Sequence, residues 1–162
     1  MLLKKKFMEI TIKEARVENL KDVFLWRNES NTIPWMADKK PVKFEDHKNW
    51  FNKAIKDSTC LFFVIYANDQ AVGQIRYNLE QKSNQKIARV SMNITESMQG
   101  KGIGTKVFEL GYAEVMKRGF AQKIQVRVHE EKARWIKKME LQGFKRSGET
   151  DIHGEKQIVL IG

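Results

Sequence analysis

The sequence predicts a mixed α/β (α+β) chain of about seven strands and four helices in the order β-α-α-β-β-β-α-β-α-β-β. Three observations carry that expectation. Short stretches such as MEITIKEAR (8–16) and KIQVRVHE (123–130) alternate apolar and polar residues, the period of a half-buried strand. Other stretches repeat apolar residues three and four positions apart, the period of an amphipathic helix. A cluster of three glycines, MQGKGIG (98–104), stands between one predicted strand and one predicted helix.

The elements follow in order. After the first strand, VENLKDVFLWRNE (17–29) reads as a helix whose start lacks a strong cap, and NTIPWMADKKP (31–41) reads as loop. FEDHKNWFNKAIKD (44–57) places Phe44, Trp50, Phe51, Ala54 and Ile55 at mostly helical spacing. CLFFVIYA and AVGQIRYNLE form a hairpin around Asn68 and Asp69, and KSNQK turns the chain into the strand IARVSMNIT (87–95). The helix after the glycines runs from about Ile103 to Lys117, its apolar stripe carrying Val107, Phe108, Tyr112, Val115 and Met116, with Arg118 and Gly119 ending it. KIQVRVHE is the next strand, EKARWIKKMELQ a helix stopped at Gly143, and the remainder two strands turning at His153 and Gly154.

With 162 residues and 19.0 kDa, and no Pro/Gly/Ser-rich stretch or charge block to divide it, the chain reads as one domain over 1–162. Thirty basic against 20 acidic residues give a net charge of +10, which favours anionic partners or simply confers solubility. The lysines are scattered and no basic strand motif is interleaved with aromatics, so nucleic acid is an unlikely partner. A lone Cys60 inside CLFFVIY makes neither an intramolecular disulfide nor a metal cluster, which suits a reducing cytoplasm and a buried strand position. MLLKKKF is followed by no apolar segment of signal-peptide length, and no run reaches the roughly 18 residues that span a bilayer, so a cytoplasmic protein without a membrane partner is expected. The sequence leaves a homodimer open.

A strand running into glycines and then a helix presents unpaired amides and the positive end of a helix dipole, a site for an anion such as a pyrophosphate. The alternative is a tight turn. The spacing is neither that of the nucleotide triphosphate loop nor that of the dinucleotide fingerprint.

QGKGIG resembles the Q/R-x-x-G-x-G/A loop of GNAT acetyltransferases, with Gln99, Gly102 and Gly104 at its fixed positions; the flanking elements and the GF at Gly143 and Phe144 follow the family's order. The resemblance implies a mixed, largely antiparallel twisted sheet in which IARVSMNIT and KIQVRVHE lie parallel and splay apart around acetyl-CoA, the acetyl donor, with no metal. It further implies that the main chain at Met92, Asn93 and Ile94 meets the pantetheine arm. Gln99, Gly100, Lys101, Gly102, Ile103, Gly104 and Thr105 would then form the loop that holds the pyrophosphate. WRNES (26–30), DHKNWF (46–51) and VGQIRYN (72–78) resemble a branch that N-acetylates nucleotide-linked amino sugars of the pseudaminic acid pathway type, and also ribosomal-protein acetyltransferases.

Regular alternation puts Gln74, Arg76 and Asn78 on one face of their strand, Arg89, Ser91 and Asn93 on one face of the next, and Gln125, Arg127 and His129 on one face of a third. Such a polar face is either plainly wet or, under covering helices, the wall of a cleft. As a cleft it makes Arg76 and Arg127, with Arg27 from WRN, candidates to bind phosphates or a carboxylate on a small-molecule amine acceptor. His47 and Trp50 are candidates for the same pocket, with helix-surface and core positions as their plain alternatives. Trp26 and Trp35 join Trp50 as possible floor residues.

Acetyl transfer to an amine needs amide groups to polarise the thioester carbonyl, here from a bulged strand near Met92 to Ile94, a route for the amine's proton, and an acid for the sulfur. The family's usual tyrosine position falls on Met139, its helix-start asparagine on Lys132, and its acidic strand residue on Arg127. His129 and Glu96 are the substitute candidates, although a lone strand-end histidine is more often a structural or solvated residue and an exposed loop glutamate usually does nothing chemical. A ribosomal-protein, peptide or polyamine acetyltransferase, or a non-catalytic acetyl-CoA sensor, remain the alternative functions.

Overall fold

The structure, a computed structural model, describes residues 7–82, 84–152 and 154–162. Its strands are β1 (Ile10–Glu14), β2 (Cys60–Ala67), β3 (Gln70–Lys82), β4 (Gln85–Ile94), β5 (Lys123–His129), β6 (Lys145–Ile152) and β7 (Glu155–Ile161). They form a seven-stranded sheet in the order β1-β2-β3-β4-β5-β7-β6, antiparallel throughout except where β4 meets β5. That parallel step needs a long crossover, which α3 (Ile103–Lys117) supplies. The remaining helices are α1 (Leu20–Arg27), α2 (Phe44–Ala54) and α4 (Ala133–Leu141).

Helices cover both sheet faces. Ile103, Val107 and Phe108 of α3 and Ile136 and Met139 of α4 pack with Ile75, Tyr77 and Val126 on one face. On the other, Val23 and Trp26 of α1 and Phe51 of α2 pack with Phe62 and Val64. Covered on both sides, β2 is apolar at nearly every position instead of alternating. The hairpin turn at Asn68 and Asp69 is as expected: both residues have left-handed φ, 48° and 65°, the conformation a two-residue hairpin needs and asparagine and aspartate tolerate. Of the two later turns, Ser83 and His153 lie outside the described residues.

Two expectations change. The first helix does not run over 17–29: residues Val17–Asn19 form a 3-10 turn and α1 stops at Arg27. Asn28 cannot extend it, because its side-chain amide is engaged reciprocally with Val42, donating to the Val42 carbonyl at 2.9 Å and accepting its N–H at 2.8 Å. Nor is β4 bulged near Met92. Its register with β3 is continuous to Gly73↔Ile94, and the irregularity sits one strand over, where β2 pairs β3 between Ile65 and Tyr66. Gly73 allows the close approach: a Cβ there would run into the Asn93 carbonyl oxygen.

Candidate active site

The site begins where the parallel ladder ends. β4 and β5 pair only at Ile87↔Lys123, Ala88↔Ile124 and Arg89↔Gln125, and beyond that the strands diverge. Thr95 N–H donates to the Val72 carbonyl at 2.8 Å, so antiparallel alternation directs the amides of Asn93 and Ser91 toward β3 and those of Met92 and Ile94 toward the opening. Of the three residues assigned to the pantetheine arm, Met92 and Ile94 therefore offer main-chain donors, whereas Asn93 contributes its side chain to the other wall. The Ile94 carbonyl is taken by the Gln99 side-chain amide at 2.9 Å. Gln99 thus ties the glycine loop to the strand end.

Gly100 and Gly102 adopt left-handed φ of 73° and 77°, and no atom of the described residues occupies the space where their side chains would stand. Gly102 is the N-cap of α3 and no side chain among the described residues caps the helix, so the amides around Ile103, Gly104 and Thr105 at its first turn could meet an outside anion. Lys101 is exposed at the rim. The backbone cradle, the uncapped start of a 15-residue helix and the free strand amides together fit a diphosphate joined to an extended arm that enters between β4 and β5.

Behind the opening lies a cleft of about 670 Å³. One wall is apolar, formed by Val90, Met92, Phe108, Val126, Val128 and Trp135. The other is the predicted polar face, with α1, α2 and the Ile33–Trp35 turn over it. Arg27, His47, Trp50, Arg76 and Arg127 all line it, as does His129. Trp35 and Trp50 line it as well, but Trp26 is buried in the α1–α2 core. Glu96 does not reach it. That residue is exposed on the Glu96–Met98 turn outside the cleft, its N–H held by Glu29 Oε2 at 2.9 Å, so the candidate base is corrected to a loop residue. Met139 likewise does not line the cleft and is fully buried in the core.

The charges of the polar wall are unequally paired. Arg89 (3.2 Å) and Arg127 (3.7 Å) share Glu80, and Arg127 also donates to Gln125 Oε1 at 2.9 Å. Arg27 meets Asp38 at 3.3 Å. Arg76 has no carboxylate partner among the described residues: it donates to Asn78 Oδ1 at 3.3 Å and stacks over Phe62 and Trp50. Burial pushes its pKa down, a sign of a cation held with little solvent. His47 is 3 % exposed among Phe24, Trp50 and Phe51, and burial first, then Arg27 and Arg76, lower its pKa to about 4. Its imidazole is therefore neutral at pH 7. His129 packs edge-on against Trp35 and lies 3.2 Å from Glu155 Oε2, whose carboxyl Lys39 holds below the usual range.

Sequence reasoning missed three contributors. Glu29 accepts the Thr95 hydroxyl and the Glu96 N–H, fixing the end of β4; its place in WRNES was the available signal. Lys132 lines the cleft with its ammonium 4.2 Å from the Trp35 ring centroid. Glu155 lies too far along the chain for local spacing to link it with His129.

Comparison with known proteins agrees with this geometry. An aminoglycoside acetyltransferase in complex with coenzyme A is 16 % identical, with TM-score 0.80 over 95 % of this chain and 94 % of that one. A variant spermidine N-acetyltransferase from Vibrio cholerae is 19 % identical, TM-score 0.78, over 94 % and 92 %. A putative phosphinothricin N-acetyltransferase is 21 % identical, TM-score 0.77, over 94 % and 97 %. None of these names an amino-sugar nucleotide or a ribosomal protein, so the likeness carries the fold and not the branch. No curated protein sequence matches significantly. The acetyltransferase (GNAT) family model matches residues 20–144, and with the splayed strands and the glycine cradle in place, the chain belongs to that family.

Proposed function

We propose that this acetyl-CoA-dependent N-acetyltransferase acts on a primary amine of an anionic small molecule, with a nucleotide-linked amino sugar as the best-fitting class. The observation that carries the reading is Arg76, a desolvated guanidinium on the acceptor wall with no carboxylate partner among the described residues. A partly buried cation without a carboxylate partner carries a desolvation cost, and a phosphate or carboxylate on the acceptor would relieve it. Aminoglycosides and spermidine, named for two of the similar structures, are polycations and would meet repulsion from Arg76 and from the Arg89–Arg127 pair that shares one glutamate.

Acetyl-CoA supplies an activated thioester. The Gly100–Thr105 amides hold its diphosphate, and the Met92 and Ile94 amides hold the arm and face the negative charge that develops on the carbonyl oxygen. Trp50 and Arg76 fix the acceptor, so that the amine and thioester meet in one orientation, and such positioning can supply about 7 to 11 kcal/mol. His129, oriented by Glu155, is the group in the cleft suited to carry the amine's proton away. The test is thiol release from acetyl-CoA with a panel of a uridine-diphosphate-linked amino sugar, spermidine and kanamycin. The highest kcat/KM should belong to the first; a preference for either polycation overturns the reading.

A further inference from the structure

Gln74 lines the cleft with a hydrogen-bonding capacity that the described residues leave unused. It pairs with Asn93 across β3 and β4, and its side-chain Nε2 donates to Asn93 Oδ1 at 2.6 Å. The residue is 8 % exposed and lines the cleft. Its Oε1 is fully buried and has no donor among the described residues. Asn93 lies between Met92 and Ile94, whose amides face the opening where the acyl group would lie, and Gln74 beside it lines the cleft, so the pair borders the path of an acceptor moving along the polar wall. A buried carbonyl oxygen without a donor is a standing cost that a bound N–H removes.

We propose that the Gln74–Asn93 amide pair is the seat of the attacking amine, with Gln74 Oε1 accepting one of its N–H bonds and so directing the nitrogen lone pair toward the thioester carbonyl. The amide neither takes nor gives a proton: the nitrogen bonds to the acyl carbon, the carbon–sulfur bond breaks, and the nitrogen's surplus proton leaves by the His129 side of the cleft. Arg76 lies two residues along the same face of β3, about 7 Å further at strand spacing, and its guanidinium leans away toward Asn78. Amine and anion are thereby held several bonds apart, a spacing that suits an extended acceptor and not an α-amino acid. This spacing rests on the anionic-acceptor reading; the amine seat does not.

Two variants test the seat, using whichever amine of the panel the parent turns over, so that failure of the anionic reading appears separately as acceptor preference. Gln74→Leu should lower kcat/KM for that amine about tenfold or more while the KM of acetyl-CoA stays within about twofold. Gln74→Glu, nearly isosteric, places a carboxylate against the ammonium. It should shift the acidic limb of the kcat pH profile, which reports groups in the enzyme–substrate complex, upward by about one unit or more, with activity recovering at high pH. The other titratable and charged groups lining the cleft, Arg27, Asp46, His47, Arg76, Arg89, Arg127, His129 and Lys132, are common to parent and variant, so the shift reports position 74. An unmoved limb in a folded, active Gln74→Glu enzyme, or an equal loss of acetyl-CoA affinity in Gln74→Leu, overturns the proposal.

Discussion

The Arg76 guanidinium lies 4.7 Å from the centroid of the Trp50 ring, joining the middle of β3 to the outer turn of α2. The ring offers its negative face to a cation that has no carboxylate beside it among the described residues, and it shields that cation from water. Stability and function are therefore opposed at this residue. Replacing a partly buried charge that has no carboxylate partner with an apolar side chain of similar length removes a desolvation cost, while the acceptor loses its counter-charge. Arg76→Met is expected to unfold at a higher temperature than the parent and to lose about 2 kcal/mol or more in kcat/KM for an anionic amine, with the KM of acetyl-CoA little changed. Calorimetry and steady-state kinetics on the same preparation check both signs.

Gly102 is required for its backbone and not for packing. Its φ of 77° is a left-handed conformation, and a Cβ there would meet no atom of the described residues. Gly102→Ala should cost about 1 to 2 kcal/mol from the strained cap alone and leave the core intact. Gly102→Val adds a branched side chain in the space assigned to the diphosphate. Isothermal titration should show the valine variant binding acetyl-CoA more weakly than the alanine variant; equal affinity in both variants and parent would remove the diphosphate from this loop.

Much of this arrangement was legible because it is written in local spacing. Alternation along 74–78, 89–93 and 125–129 located the polar wall, since side-chain direction in a strand follows position directly. The glycine loop was legible because only left-handed backbone needs such residues together. Contacts between distant segments were not. Nothing near His129 announces Glu155, and nothing near Thr95 announces Glu29, because these partners meet only through sheet order and loop return. The 3-10 start and early stop of the first helix escaped for a related reason: the Asn28–Val42 amide exchange competes with helix continuation and depends on where residue 42 lies. Glu96 was chosen for its distance along the chain from the glycines, which does not report which way a turn faces.

Met139 illustrates the difference between a family position and an environment. A tyrosine there would be the family's usual acid, which suggests that Met139→Tyr restores a proton donor. The side chain is fully buried in the core with Ile136 and Phe144, so an added ring and hydroxyl must displace packed neighbours. Met139→Tyr is expected to lose about 1 to 3 kcal/mol of stability and to gain no turnover. Urea midpoints with parallel thiol-release rates decide the matter, and faster turnover would mean that the position reaches the sulfur after all.

His47 makes the fold sensitive to acid. Its folded-state pKa of about 4 lies below the ordinary 6.5 because burial and the nearby Arg27 and Arg76 penalise the charged imidazole. Between those two values the unfolded chain binds a proton that the folded chain refuses. Stability from this group is therefore complete above pH 6.5 and falls as the pH is lowered toward 4, by at most about 3 kcal/mol. His47→Phe removes the titration and keeps a ring among Phe24, Trp50 and Phe51. Urea unfolding at pH 7.5 and pH 5 should give a difference for the parent that shrinks in the variant. An unchanged difference would mean that His47 is not the source of the acid sensitivity between these two pH values.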